Sequence, residues 1–136
     1  MNKIRTTAAI ALAVATFQAF SAEPKVAKTP SGIEITTLKE GTGASPKASD
    51  TVKVHYRGTL TNGAEFDSSY KRGQPATFPL NRVIPCWTEG VQTLKVGGKA
   101  RFLCPSKLAY GSGGIPGTIP PDAPLIFEVE LLDIGK

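Results

Sequence analysis

The chain has 136 residues, of which 40% are hydrophobic and 20% charged, and a formal charge of +5. That length holds one ordinary domain, and the apolar content excludes a disordered chain. Fourteen Gly and eleven Pro predict many turns but fall short of low complexity.

The first segment reads as a processing signal. Lys3 and Arg5 precede an uncharged apolar run, Ala8 to Ala15, and Ala19 and Ser21 offer small residues at −3 and −1 of a cleavage point. This is the pattern of a secretory signal peptide over residues 1–21, with cleavage after Ser21. The apolar run is short of the ~20 residues a membrane span needs. No Cys lies near the cleavage point, which argues against a lipid anchor. The expected location is periplasmic or secreted. Removing this segment leaves fourteen basic against eleven acidic residues, +3, with no run of four basic residues. That is too mild to argue for a nucleic-acid partner, and none is expected; no membrane partner is expected after cleavage.

Residues 22–31 are small, polar and interrupted by Pro, and read as a flexible leader. Gly32 to Leu38 is rich in β-branched residues and predicts a first strand. A loop follows over residues 39–50. Thr51 to Gly58 alternates strictly, with Val52, Val54 and Tyr56 on one face and Lys53, His55 and Arg57 on the other. His55, the one histidine, falls on the wet side and is expected to be an exposed strand residue. Thr61, Asn62 and Gly63 mark a hairpin turn, and Glu65 to Asp67 is the returning strand. Ser68 to Pro75 reads as a loop or bulge, and Ala76 to Leu80 as extended.

Pro85 to Lys95 predicts the only helix. Pro suits its first turn, Trp87, Val91 and Leu94 form an apolar stripe, and Gly97 with Gly98 end it. Lys99 to Cys104 is a strand, and Pro105 to Tyr110 a short turn. Eight of the fourteen residues 111–124 are Gly or Pro, which excludes a regular element there. Leu125 to Asp133 closes as a strand. Many strands and one amphipathic helix make an α+β domain, an antiparallel sheet with the helix packed on one face.

Two cysteines, Cys86 and Cys104, form a disulfide if the chain is exported, or stay as buried thiols. Two Cys and one His do not make a metal site. No nucleophile elbow or phosphate-binding glycine loop is present, so covalent, redox and metal chemistry are poorly supported and no cofactor is expected. The aromatic residues Tyr56, Phe66, Phe78, Trp87, Tyr110 and Phe127 sit among polar ones and are either core or pocket.

Five motifs run in order: VHYRG (54–58), FDSS (66–69), VIPCWTEGVQTLKVGGKA (83–100), LAYG (108–111) and IPPDAPLIFEVELL (119–132). Together they resemble the FKBP-type peptidyl-prolyl cis-trans isomerases over residues 32–135, and the isomerase domain is expected at 32–136. The resemblance implies a five- to six-stranded antiparallel sheet, twisted around one short helix, with an apolar pocket between them. It implies Tyr56, Asp67 and Tyr110 as the catalytic set, with Asp67 either a polar orienter at the pocket edge or a hydrogen-bond acceptor that holds Tyr56 or the bulge. Phe66, Phe78, Val83, Ile84, Trp87, Ile119 and Phe127 would bind substrate, with the Trp87 indole as floor. Cys86 stands where the family usually has a small residue, and the resemblance, which puts Cys104 on the neighbouring core strand, implies a bridge between them. Ala76 and Ile115 replace an aromatic residue and a His common at the pocket rim. The implied partners are proline-containing polypeptides and macrolide inhibitors such as rapamycin. With only about ten residues before the first strand, a minimal monomer is expected. The competing function is a non-catalytic chaperone or adaptor that holds proline-containing chains.

Overall fold

A computed structural model describes residues 25–135 of the chain. The expected signal peptide lies outside the described residues. In chain order the elements are β1 (Lys25–Lys28), β2 (Glu34–Lys39), β3 (Thr51–Leu60), β4 (Glu65–Ser68), α1 (Ser69–Arg72), β5 (Ala76–Pro79), α2 (Pro85–Val91), β6 (Lys99–Cys104) and β7 (Leu125–Gly135). Single 3-10 turns occupy Leu80–Arg82 and Ser106–Leu108.

The strands form one antiparallel sheet in the order β1-β2-β6-β7-β3, with β4 and β5 both against the far side of β3. β5 pairs with the first half of β3, from Thr51↔Pro79 to Val54↔Ala76, and β4 with the second half, from Arg57↔Ser68 to Thr59↔Glu65. The seven strands of the described residues therefore fill six positions, and the expected α+β class stands. The long partner of β3 is β7, paired from Thr51↔Gly135 to Leu60↔Leu125 with a register shift between Lys53 and Val54.

Alternation decides which face is wet. On β3, Val52, Val54 and Tyr56 are buried while Lys53 and Arg57 are exposed. On β6 the buried set is Ala100, Phe102 and Cys104; on β7 it is Leu125, Phe127, Val129 and Leu131. These side chains meet Cys86, Trp87 and Val91 of α2 and Leu94 just beyond it. Gly90 lets the helix approach closely, because a Cβ there would stand 3.0 Å from the Phe102 ring. Cys86 and Cys104 are joined by a disulfide, with Cα atoms 5.8 Å apart, which ties the first turn of α2 to β6.

Several expectations need correction. Residues 25–28, read as flexible leader, form β1. Their sequence carries no strand period, but β2 presents an unpaired edge, and four antiparallel pairs from Lys25↔Thr37 to Lys28↔Glu34 satisfy it. The segment 68–75, read as loop, contains α1. Its Ser68 cap accepts a hydrogen bond from the Lys71 N–H at 3.2 Å, and Gly73 ends it with φ +78. The helix predicted to Lys95 stops at Val91. The Thr93 and Leu94 amides take the Gly90 and Val91 carbonyls, and the Thr93 hydroxyl also donates to Gly90 at 2.6 Å, so the last turn tightens into i→i+3 geometry. Leu94 stays buried all the same.

Candidate functional site

A cleft of about 570 Å³ opens between α2 and the sheet. Trp87 forms its floor. Three rings stand edge-on to the indole: Tyr56 at 5.1 Å, Phe78 at 5.3 Å and Phe127 at 5.4 Å between centroids, all within a few degrees of perpendicular. Edge-to-face packing is the favoured aromatic geometry, so the rings hold one another in place. Phe66 packs edge-on to Phe127 at 5.6 Å. Gly58, paired opposite Phe127, makes room for both. A Cβ there would lie 2.6 Å from the Phe66 ring and 2.8 Å from the Phe127 ring.

Each side chain reaches the cleft for a local reason. Tyr56 lies on the inward face of β3 and Phe127 on that of β7. Trp87 follows from Pro85 at the first position of α2, which starts the helix so that its apolar stripe faces the sheet. Val83 and Ile84 lead into that helix and line the cleft with Ala109 and Tyr110. The Ile84 carbonyl accepts the first helical amides, from Trp87 and Thr88, while its own N–H has no backbone acceptor among the described residues. The Trp87 indole nitrogen is buried and has no partner among the described residues.

The polar edge is a closed triangle. The Tyr56 hydroxyl donates to Asp67 Oδ2 at 2.5 Å, Arg72 Nη1 donates to Asp67 Oδ1 at 2.7 Å, and Arg72 Nη2 donates to the Tyr56 oxygen at 3.1 Å. Burial alone pushes the Asp67 carboxyl up, but hydrogen bonds from Tyr56 and Arg72, the Arg72 charge and the Ser68 N–H outweigh it, and the group lies below its ordinary value. Burial, then the hydrogen bond to Asp67, push the Tyr56 phenol up. Tyr110 is pushed up by burial and by the Asp67 charge, although its side chain is partly exposed. At neutral pH the site thus holds two protonated phenols beside an ionised, compensated carboxylate.

Of the residues expected at the site, Tyr56, Asp67 and Tyr110 come together with Phe66, Phe78, Val83, Ile84, Trp87 and Phe127. Ile119 does not line the cleft. It is 2% exposed, belongs to the core, and exchanges two backbone hydrogen bonds with Ile115 across a tight turn. A Cβ at Gly114 would run into the Ile119 carbonyl, so this turn packs backbone against backbone. Arg82 and Ala109 also line the cleft, and Arg72 completes the polar triangle; sequence reasoning missed all three. No periodicity marks them, since Arg82 and Ala109 lie in turns and Arg72 in the unrecognised α1. His55 is half-buried, not exposed. Its ring stacks on Tyr70 at 4.7 Å and its Nδ1 lies 2.9 Å from the Ser69 hydroxyl, outside the cleft.

Comparison with known proteins agrees with this geometry. The family model described as FKBP-type peptidyl-prolyl cis-trans isomerase matches residues 43–132. An FKBP-type peptidyl-prolyl cis-trans isomerase FkpA from Aeromonas hydrophila is 62% identical over 111 residues, covering 82% of this chain and 41% of that protein. The FkpA of Escherichia coli K12 is 50% identical over 115 residues, covering 85% of this chain and 42% of its own. The chain thus spans about two-fifths of the length of these curated relatives. The crystal structure of FkpA from Escherichia coli superposes with a TM-score of 0.79 at 47% identity, over 87% of this chain and 55% of that one. A peptidyl-prolyl cis-trans isomerase from Pseudomonas syringae superposes with a TM-score of 0.78 at 38% identity, over 98% of this chain and all of that one. Matched over most of its length by the family model and by such relatives, the chain belongs to the FKBP-type peptidyl-prolyl cis-trans isomerase family.

Proposed function

We propose that the chain accelerates cis–trans rotation about X–Pro bonds in exported polypeptides, and that it does so by non-covalent binding in the Trp87 cleft. The observation that carries this reading is the indole floor walled edge-on by Tyr56, Phe78 and Phe127. A proline ring is a flat apolar body that such a floor accepts. Rotation of the peptide bond faces a barrier of roughly 20 kcal/mol and breaks no σ bond, so no nucleophile or metal is required. The planar amide is strongly dipolar and the twisted one less so. An apolar enclosure therefore favours the twisted state over the planar one, which is differential binding of a transition state.

The polar residues then have roles of orientation. The Ile84 N–H donates to a peptide carbonyl, and the Tyr110 hydroxyl, protonated and partly exposed, donates to the carbonyl before the proline as it leaves the amide plane. Asp67, compensated by Arg72, holds Tyr56 against the floor. The N-terminal segment and the Cys86–Cys104 bridge support export, to the periplasm or beyond, and the proposed working form is a monomer that macrolides such as rapamycin inhibit.

The test is isomerisation of a Leu-Pro or Phe-Pro peptide by the purified protein, with and without rapamycin. Acceleration abolished by the macrolide is expected. Trp87→Leu should lower kcat/KM by about tenfold or more. Tyr110→Phe should lower it by about fivefold, the worth of one hydrogen bond, with Tm unchanged. Peptide binding without acceleration would instead give a non-catalytic proline-binding module.

A further inference from the structure

Among the described residues, two charged side chains line the cleft, Asp67 and Arg82. The Asp67 carboxylate is compensated in place by Arg72 at 2.7 Å and by the Tyr56 hydroxyl. Arg82 forms no ion pair among the described residues. Glu89 of α2 shares a neighbouring shallow depression with Asn81 and Val83, yet it is not within ion-pair distance of Arg82 either. The cleft therefore carries one uncompensated positive charge.

That charge is mounted on a fixed base. Arg82 closes the 3-10 turn that begins at the fully buried Leu80. The Leu80 N–H donates to the Asp50 carbonyl at 2.9 Å, and the Leu80 carbonyl accepts the Thr88 hydroxyl at 2.6 Å. The turn is thereby tied to the loop before β3 and to α2, while the Arg82 side chain remains exposed. Val83 and Ile84, the next two residues, line the same cleft. A peptide whose proline rests on Trp87 and whose backbone meets Ile84 runs past Arg82.

We propose that Arg82 sets substrate preference, selecting polypeptides that carry an acidic side chain on one flank of the proline. This rests on the isomerase reading above. The apolar walls choose the proline and its apolar neighbours; the guanidinium adds a charge criterion.

The experiment compares matched peptides with Glu, Gln or Lys at the residue before or after the proline. At low salt, kcat/KM for the Glu peptide should exceed that for the isosteric Gln peptide by about two- to fivefold on one flank, the range of an exposed ion pair. The advantage should fade in 0.5 M salt. Arg82→Gln should abolish it, and Arg82→Glu should shift it to the Lys peptide. Equal Glu/Gln ratios for the native protein and Arg82→Gln on both flanks would overturn the proposal. If no peptide is isomerised, the isomerase reading itself fails. The same ratios are then read as affinities from the fluorescence of Trp87, the single tryptophan, and they decide the charge preference alone.

Discussion

Asp67 accepts from Tyr56 and Arg72, and its carboxyl lies below its ordinary value of 3.8 when folded. Its contribution to stability is complete above that ordinary value and is lost as the pH falls through the lower folded one. The stability gap between the native protein and Asp67→Asn should therefore hold from neutral pH down to about pH 4 and then shrink in more acid solution. Thermal unfolding of both across that range checks it; a gap independent of pH would mean that the carboxylate charge is irrelevant. Tyr56 was legible as an inward residue because strand alternation puts it there, whereas Phe127 was expected at the pocket only through the family resemblance. Asp67 as an acceptor for Tyr56 was among the readings of the sequence, but the part of Arg72 in the triangle was not, because the triangle joins β3, β4 and α1 through contacts that no local period encodes. Arg82 escaped for the same reason: a turn arginine looks alike in the sequence whether it faces solvent or a cleft.

α2 is only two turns long, too short to be stable on its own in water, so its position comes from tertiary anchors. One is the packing of Trp87 and Val91 on the sheet. Another is the Cys86–Cys104 bridge to β6, which closes a loop across 18 residues. Loop entropy values such a bridge at about 3 kcal/mol. Replacing both cysteines by Ala should lower unfolding stability by about that amount, with a steeper urea transition, because the unlinked denatured chain exposes more surface. A loss well under 1 kcal/mol would mean that packing alone seats the helix. The Cys pair could be seen in the sequence, but the alternative of two free thiols could be closed only once β6 and α2 were shown side by side. The ends of α2 and the existence of α1 and β1 were likewise hidden. Thr93 diverts a helical carbonyl, Ser68 caps four residues inside an apparent loop, and β1 exists only because β2 offers an edge.

In the whole molecule, the longest ladder among the described residues joins β3 to β7, the third strand to the last, segments far apart in the chain. The cleft depends on that pairing, since Tyr56 and Phe127 come from its two strands. Such distant pairing must be closed before burial rewards it, so folding should be slow for a chain of this size, in milliseconds to seconds. Stopped-flow refolding followed by Trp87 fluorescence reads this directly, because the indole is 4% exposed in the native core. A microsecond phase carrying the full signal would contradict it.

By itself the sequence determined the class of fold, the inward face of β3, the apolar stripe of the helix and, through five ordered motifs, the family. All but the family are written in local spacing, where side-chain period and turn chemistry act within a few residues; the family came from the resemblance of the motifs. Only the tertiary structure decided that Ile119 belongs to the core, that Arg82 and Ala109 reach the cleft, and that Lys25–Lys28 make a strand. Those outcomes depend on which distant backbone lies alongside, and a hydrogen-bonding edge or an empty volume is a property of two segments together.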